Sequence, residues 1–566
     1  MRAYPVPLPL EADAYQIGHF RMIPPGMEDF ECSQAIFRKP LADFTDAPGA
    51  SSSAAAGAAA TAAAGASAGA GAAGRAADYR IVSAGVLPFV QLELSRRLTR
   101  EAVDEAGWFL EEFCATPRGP APYPFPRGLF YRIVDEFDGR WPICVTALRD
   151  GQAHVVGEPH VQIWTDEPGM GEAVGWIEST MLPYLWTSST VATRGRRRKA
   201  RMLDVYRQAY PSRDTGALLA MIEYKFHDFG RRGGAATQIT GLAHLLNWLG
   251  TDTVDAAYVA TRYLNDGKKF GAMSIPAAAH RTVTPWPTED QAIDHMIEAF
   301  GDGIFSFVAD SYGYARGIRK LAGRASIIKA KGGILVGRPD SGDPLACVLE
   351  GLTVFADAFG YTLQETGLKV LTHASIIQGD AVSDRLLFET IYPAMVQAGF
   401  CPSNLAVGMG EENHRALRSE MEHAYKTCAV GVKGAKRENG AVGEAGEGRE
   451  DGEDGRPEAI RDVMKGADSR FKRSLPGPVS AHFEPGDWTR RIRPVSLEQL
   501  RAGETGDLVV VYDGRRKPLR ATRELFEESR RRCWRTWEEL PSDPGDTIDP
   551  AIRERQEQYL ASMTGD

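Results

Sequence analysis

Arg338-Pro339-Asp340-Ser341-Gly342 puts a guanidinium, a carboxylate and a glycine into one short stretch. It follows the apolar run Ile334-Leu335-Val336 and precedes the amphipathic stretch Leu345–Phe359. That order reads as strand, polar corner, helix, and in α/β proteins the carboxyl end of a strand is where ligands bind. The trio suits a substrate with phosphates and sugar hydroxyls. Arginine forks onto phosphate oxygens, aspartate takes ribose hydroxyls or hydrated Mg²⁺, and glycine lets the backbone approach. Taken alone, the same residues also serve as ordinary cap and turn chemistry.

Other runs repeat the arrangement. Ile304–Ala309 ends in Asp310-Ser311-Tyr312, Ser375–Ile377 leads to Gln378-Gly379-Asp380, and Leu405–Val407 ends in Gly408-Met409-Gly410. Leu368–Leu371 is a further short apolar run, and segments such as Leu386–Ala398 carry apolar residues at i, i+3 and i+4. A βα repeat of this kind predicts a parallel barrel or a doubly wound sheet, with all the polar motifs on one rim. Repeated aspartates on that rim are more than glycine-rich turns require. Upstream, Trp141–Gln162 alternates like strands of a separate β-rich lobe, and Asp507–Tyr512 with Asp513-Gly514 reads as a hairpin arm. The chain is therefore expected to begin and end in that lobe.

The 566 residues suffice for two or more domains. The formal charge of −9 gives no hint of nucleic-acid binding, and seven acids against one arginine between Glu438 and Asp454 account for −6 of it. Seven scattered cysteines without a CxxC pair argue for a reducing cytoplasm rather than a disulfide framework or zinc site. The N-terminus lacks the pattern of a signal peptide. The charge-free stretch Ala54–Gly74 is too weakly apolar for a membrane span. Pro48–Ala77 (Ala, Gly, Ser) and Glu438–Arg456 (Gly and acids) cannot offset their ordering entropy by burial and read as flexible insertions. The basic run Arg194–Arg201 is expected on the solvated face of an amphipathic helix. His227-Asp228 reads as structural, and Arg530-Arg531-Arg532 with Trp534 and Trp537 as a surface helix that docks its tryptophans.

Three further segments complete the set: Glu223–Gly233, the Gly250-Thr251-Asp252-Thr253 corner, and Ser274–His280. Together with Asp310–Tyr312, Arg338–Gly342, Gln378–Asp380 and the N-terminal Asp13-Ala14-Tyr15-Gln16 with His19, they resemble, in order and near spacing, the nicotinamide phosphoribosyltransferases, which are type II phosphoribosyltransferases. The likeness runs over roughly residues 10–530, without the two insertions.

The resemblance implies an irregular parallel α/β barrel with a second β-rich lobe built from N- and C-terminal segments. It divides the chain into residues 1–165 (lobe, with insertion 48–77), 166–432 (barrel and active site), 433–460 (acidic insertion) and 461–566 (phosphate-proximal segment and the rest of the lobe). It implies transfer of phosphoribosyl from phosphoribosyl pyrophosphate to nicotinamide in NAD salvage, by a homodimer with Mg²⁺. The alternatives are a nicotinate phosphoribosyltransferase, or a catalytically weakened nucleotide-binding relative. Carried over by position, His280, Asp340 and Arg338 are catalytic. Phe229 and Tyr15 of the second subunit sandwich the base, and Asp252 selects carboxamide over carboxylate. Helix capping is the alternative for Asp252. Arg232, Asp310, Asp380, Gly379, Gly408, Gly410, Arg418, Lys426 and Lys465 hold phosphates or ribose, with Asp310 and Asp340 as Mg²⁺ residues. ATP as an activator through phosphorylation of His280 is a further implication. Two positions depart from the family: Ala279 stands where an acid usually precedes the histidine, and Glu411-Glu412 follow Gly410 where small residues are usual.

Overall fold

In a computed structural model of the chain, the barrel strands form one parallel sheet in the order Gly250–Thr251, Phe226–Asp228, Leu405–Met409, Ala374–Gln378, Ile334–Arg338, Ile304–Val308. Every pairing between neighbours is parallel. The structure describes residues 6–42, 77–113, 125–229, 234–379, 382–432, 437–438, 441–442, 456–467, 472–484, 486, 488–515, 520–521 and 524–564. The strands are nearly continuous apolar runs because both faces are covered. Phe305, Leu335, Ile376, Leu405, Val407 and Phe226 are all fully buried. The segment Met273–Ala277 spans the two edges of the sheet: Met273 bridges Gly250 on one side and Ala277 bridges Ser306 on the other. Thr251 N donates to Met273 O at 3.0 Å and Ser306 N to Pro276 O at 2.8 Å, so the sheet curls into an irregular barrel. The Leu368–Leu371 run is not part of it. Lys369–Leu371 pairs instead with Tyr361–Leu363 in a separate antiparallel ribbon.

The second lobe is a seven-stranded antiparallel sheet in the order Ile460–Asp462, Ala424–Gly431, Glu31–Ile36, Pro159–Thr165, Cys144–Ala147, Val509–Asp513, Arg520–Ala521. Segments from both ends of the chain therefore build it, and the expected hairpin arm pairs with Arg520–Ala521 at its edge. One boundary differs from expectation. Ala424–Gly431, placed by sequence in the barrel segment 166–432, pairs with Glu31–Ile36 and belongs to this lobe. The two low-complexity insertions fall almost wholly outside the described residues.

A 32-residue helix, Glu178–Ala209, packs against elements of both parts of the molecule. Its basic run is a correction to the sequence reading, because Arg194, Arg196, Arg198 and Lys199 are buried rather than solvated. Burial is tolerated because each cation meets a partner. Arg198 forks onto Asp384, with Nη2 to Oδ2 at 2.8 Å, and Nη1 reaches Asn413 Oδ1 at 2.7 Å. Arg196 lies over the Trp534 ring at 4.2 Å. Lys199 donates to Glu223 Oε1 at 2.6 Å and Asn247 O at 2.7 Å, while burial pulls its pKa down to about 8. The helix Phe526–Glu539 buries Trp537 as expected, but its Arg530 turns inward to Glu223.

Candidate active site at the barrel mouth

The corner after Ile334–Arg338 separates capping from chemistry. The helix Pro344–Phe359 is capped by Asp343, whose Oδ1 accepts from Ala346 N at 2.8 Å, with proline in its first turn. Asp340 is left uncommitted to the helix, three residues upstream of that cap. Gly342 sits at φ +94°, which favours glycine, and makes the reversal between the two aspartates.

Asp340 Oδ2 lies 3.3 Å from His280 Nε2, and its Oδ1 lies 3.7 Å from Arg338 Nε. His280 opens the short helix His280–Val283, is 45% exposed, and pairs through Nδ1 with Ser311 Oγ at 2.9 Å. Its Nε2 is also 3.8 Å from Asp310 Oδ1. Ser341 donates to the other oxygen of Asp310. Asp310 Oδ1 and Arg338 Nε are buried atoms with no hydrogen-bond partner among the described residues. A buried carboxylate oxygen and a buried guanidinium nitrogen without hydrogen-bond partners are each costly unless a ligand completes them. Three corners that are far apart in sequence thus meet around one histidine.

The residues expected around the base are continuous with this cluster. A Cβ on Gly410 would come within 2.8 Å of the Phe229 ring, and one on Gly408 within 3.3 Å of that ring and 3.6 Å of Gly379 Cα. A Cβ on Gly379 would in turn meet Arg338 Cδ at 3.7 Å and Asp340 Oδ1 at 3.8 Å. The glycines therefore let Phe229, the Gly408–Gly410 turn and the Arg338 corner lie against one another. Asp252 is exposed, and its N donates to Asp228 O at 2.8 Å. Its carboxylate does not cap the helix Val254–Arg262, which starts after Thr253 without a side-chain cap. It accepts a hydrogen bond from Ser274 instead.

Beneath Phe229 and Asp252 lies a buried polar hub that sequence reasoning assigned no role in the site. Asp228 points inward, away from its neighbour His227, as its structural reading expects. Thr253 Oγ1 donates to Asp228 Oδ2 at 3.0 Å, His414 Nε2 lies 3.3 Å from the same oxygen, and His244 Nε2 lies 3.7 Å from Oδ1. Burial pushes the Asp228 pKa up, but the two histidines and the hydroxyls outweigh it and hold the carboxyl at about 2. His244 is pushed down to about 4 by burial, so it is neutral. Its Nε2 then donates to Gly250 O at 2.9 Å, and its Nδ1 accepts from Asn413 Nδ2 at 3.2 Å. The hub ties the strand ends carrying Phe229 and Asp252 to the segment after Gly410. A histidine four residues beyond a glycine turn is its local signal.

The remaining expected site residues form a second group in the lobe. Lys426 lies on Ala424–Gly431 opposite Gln34. Burial lowers its pKa, Glu178 counters that, and Arg38, Lys465 and Arg418 lower it further, which places four cations together. Arg418 Nε donates to His423 O at 2.9 Å. Tyr15 belongs to the helical segment Ala14–Arg21, where Gln16 Oε1 accepts from Ser179 Oγ at 2.9 Å, next to Glu178. Among the described residues, no hydrogen bond or ion pair joins this group to the barrel mouth. Arg232, Asp380 and the side chains of Tyr15 and Glu411 lie outside the described residues. Also among the described residues, no three His, Cys, Asp or Glu side chains form a metal cluster of their own. A cavity of about 190 Å³ lined by Tyr79, Val156, Arg473, Asp546 and Arg553 gathers none of the expected site residues.

The chain is similar to several known proteins. The sequence profile of the nicotinate phosphoribosyltransferase (NAPRTase) family matches residues 224–439. A nicotinamide phosphoribosyltransferase of Xanthomonas campestris pv. campestris is 32% identical over 402 residues, 67% of this chain and 82% of that protein. One of Acinetobacter baylyi is 27% identical over 334 residues, 53% of this chain and 63% of that protein. The crystal structure of human nicotinic acid phosphoribosyltransferase superposes with a TM-score of 0.52 at 14% identity, covering 98% of this chain and 99% of that one. At that identity the likeness is one of fold.

Proposed function

The chain belongs to the nicotinate phosphoribosyltransferase family of type II phosphoribosyltransferases, and within it we propose that this enzyme acts on nicotinamide, forming nicotinamide mononucleotide and pyrophosphate for NAD salvage. The observation that carries this reading is the unbroken contact from Phe229 and the Gly408–Gly410 turn through Gly379 to Arg338, Asp340 and His280. Groups suited to a base, a sugar and phosphates thus lie along one mouth.

The reaction displaces pyrophosphate at the anomeric carbon. The lone pair of the pyridine nitrogen forms the new C–N bond, and the C–O bond breaks with its electron pair leaving on pyrophosphate. No proton need move, so the site has to stabilise an oxocarbenium-like ribose and a developing anion rather than supply a general base. Arg338, whose Nε has no hydrogen-bond partner among the described residues, meets pyrophosphate oxygens. Asp340 and Asp310 flank the ribose, and the backbone amides of the Gly408–Gly410 turn take the 5′-phosphate. Phe229 stacks on the pyridine ring, and Asp252 accepts from the carboxamide NH₂ while repelling the carboxylate of nicotinate. Asp310 and Asp340 would hold Mg²⁺, which supplies positive charge to the leaving group. Asp310 Oδ1, without a hydrogen-bond partner among the described residues, fits that role.

The grouping of Arg38, Arg418, Lys426 and Lys465 in the lobe supports a homodimer, in which these cations and Tyr15 complete the partner's mouth. Co-refolding Arg338→Ala with Lys426→Ala chains tests this. Recovered activity supports a shared site, and none overturns it. ATP coupling through His280 belongs to the same reading, with Ala279 in place of the usual acid. The setting proposed is the cytoplasm, in keeping with the unpaired cysteine spacing. No helix of the described residues is long and apolar enough to cross a membrane.

Pyrophosphate release from phosphoribosyl pyrophosphate with each pyridine base, with and without ATP, tests the function. Nicotinamide should be much the better substrate. A preference for nicotinate, or binding of the mononucleotide without any release, overturns the reading.

A further inference from the structure

Ser274 belongs to the segment Met273–Ala277 that closes the barrel. Its neighbour Met273 is pinned on both sides, donating to Leu249 O at 2.9 Å and accepting from Thr251 N at 3.0 Å. The backbone under Ser274 is therefore fixed to the strand end that carries Asp252. Asp252 is anchored in turn by its own N–H to Asp228 O. Between these two anchored positions, Ser274 Oγ meets Asp252 Oδ1.

The direction of that bond is settled by chemistry. An ionised carboxylate accepts only, and a serine hydroxyl has one proton to give. Among the described residues, the other acceptor within reach, Ile275 O at 3.5 Å, is too distant to compete for it. Two consequences follow for a ligand at the mouth. Asp252 Oδ1 is occupied and its orientation set, which leaves Oδ2 to face the ligand. Ser274 has spent its proton and presents only lone pairs. The pair thus offers acceptors alone, suited to an N–H donor and hostile to a carboxylate twice over, by charge and by lack of a donor.

We propose that Ser274 is a specificity-determining residue that positions Asp252, and that Asp252 in return withholds the Ser274 proton from a carboxylate-bearing base. This rests on the nicotinamide reading of the mouth. In the absence of the Asp252 carboxylate, the serine proton is released and can donate to nicotinate. The two side chains form one selector, in which neither accounts for the discrimination alone.

The test is a double-mutant cycle read by kcat and KM on both bases, with the unmutated enzyme, Ser274→Ala, Ser274→Thr, Asp252→Ala and Asp252→Ala/Ser274→Ala. Ser274→Ala should raise KM for nicotinamide about tenfold with kcat little changed, the effect of losing one hydrogen bond to a charged group. Ser274→Thr should restore it. Asp252→Ala should gain nicotinate turnover, and adding Ser274→Ala should remove about tenfold of that gain. Unchanged selectivity in Ser274→Ala, or a double variant that keeps the full nicotinate turnover of Asp252→Ala, overturns the proposal while leaving the functional reading intact. An unmutated enzyme that turns over neither base overturns the reading, and the proposal with it.

Discussion

The buried helix segment Arg194–Lys199 and the rim corner Arg338–Gly342 are both short, charge-rich stretches, yet the protein uses them in opposite ways. On the helix the cations are removed from water and matched: Arg198 is fully buried against an Asp384 that is 1% exposed, and Arg196 lies over Trp534. At the rim, Arg338 and Asp340 stay partly exposed, 3.7 Å apart, and Arg338 Nε has no hydrogen-bond partner among the described residues. Composition does not distinguish a structural charge from a functional one. What distinguishes them is whether the chain itself supplies the counter-group.

If that distinction holds, each region should fail in its own way. The largest effect is expected at the matched one. Arg198→Ala leaves Asp384 buried and unpaired, which should cost about 3–5 kcal/mol of folding stability. Denaturant unfolding followed by intrinsic fluorescence measures it. A loss under about 1 kcal/mol would mean that Asp384 finds water or another partner, and that the helix charges are less confined than their burial indicates.

At the rim the loss should appear in rate. Arg338→Ala should lower kcat by roughly 10²- to 10³-fold, the effect of deleting one oriented charge-stabilising donor, with the unfolding midpoint nearly unchanged. An equal drop in stability would erase the contrast between the regions. Full activity would remove Arg338 from the phosphate site.

How far the two regions could be told apart beforehand follows from sequence distance. The barrel strands are legible because a strand buried on both faces must be a continuous apolar run, and the polar corners follow each run directly. Asp343, which caps the next helix and so frees Asp340, is also local, but nothing local says which aspartate caps. The partners of Arg198 lie 186 and 215 residues away, so its neighbours in sequence carry no sign of its burial. For the same reason Ala424–Gly431 was assigned to the wrong lobe, because its pairing strand Glu31–Ile36 lies at the other end of the chain. Asp252 is recognisable only through its motif, and nothing local to Ser274 distinguishes it from its neighbours in the Ser274–His280 segment.

The hub at Asp228 joins the two regions and sharpens the contrast through pH. Asn413 accepts from Arg198 and donates to His244, so the matched charges of the helix continue to Asp228, directly under Phe229 and Asp252. The folded-state pKa of Asp228, about 2, lies below its ordinary value of 3.8. The stability this contributes is therefore present above about pH 4 and is lost as pH falls towards 2. It amounts to roughly 2 kcal/mol. Unfolding free energies of the unmutated protein and Asp228→Asn should differ most at neutral pH and converge between pH 4 and 2. A constant difference across that range would mean that Asp228 titrates alike in the folded and unfolded chain.

The smallest effect should come from the rim, where a single hydrogen bond orients the His280 ring. Ser311 holds His280 Nδ1 at 2.9 Å, while His280 Nε2 is directed towards Asp340 and Asp310. Ser311→Ala removes one such bond at a 45% exposed ring, where water can replace it. The expected cost is about 1 kcal/mol, roughly fivefold in kcat, with base selectivity and stability unchanged. Selectivity is the informative readout, because Ser311 touches His280 and Ser274 touches Asp252, on what are proposed as the phosphate and base sides of the mouth. If Ser311→Ala altered the ratio of nicotinamide to nicotinate turnover, the two sides of the mouth would not be separable. The rim would then behave as one coupled network, like the buried helix, rather than as a set of groups that await their counter-groups from the substrate.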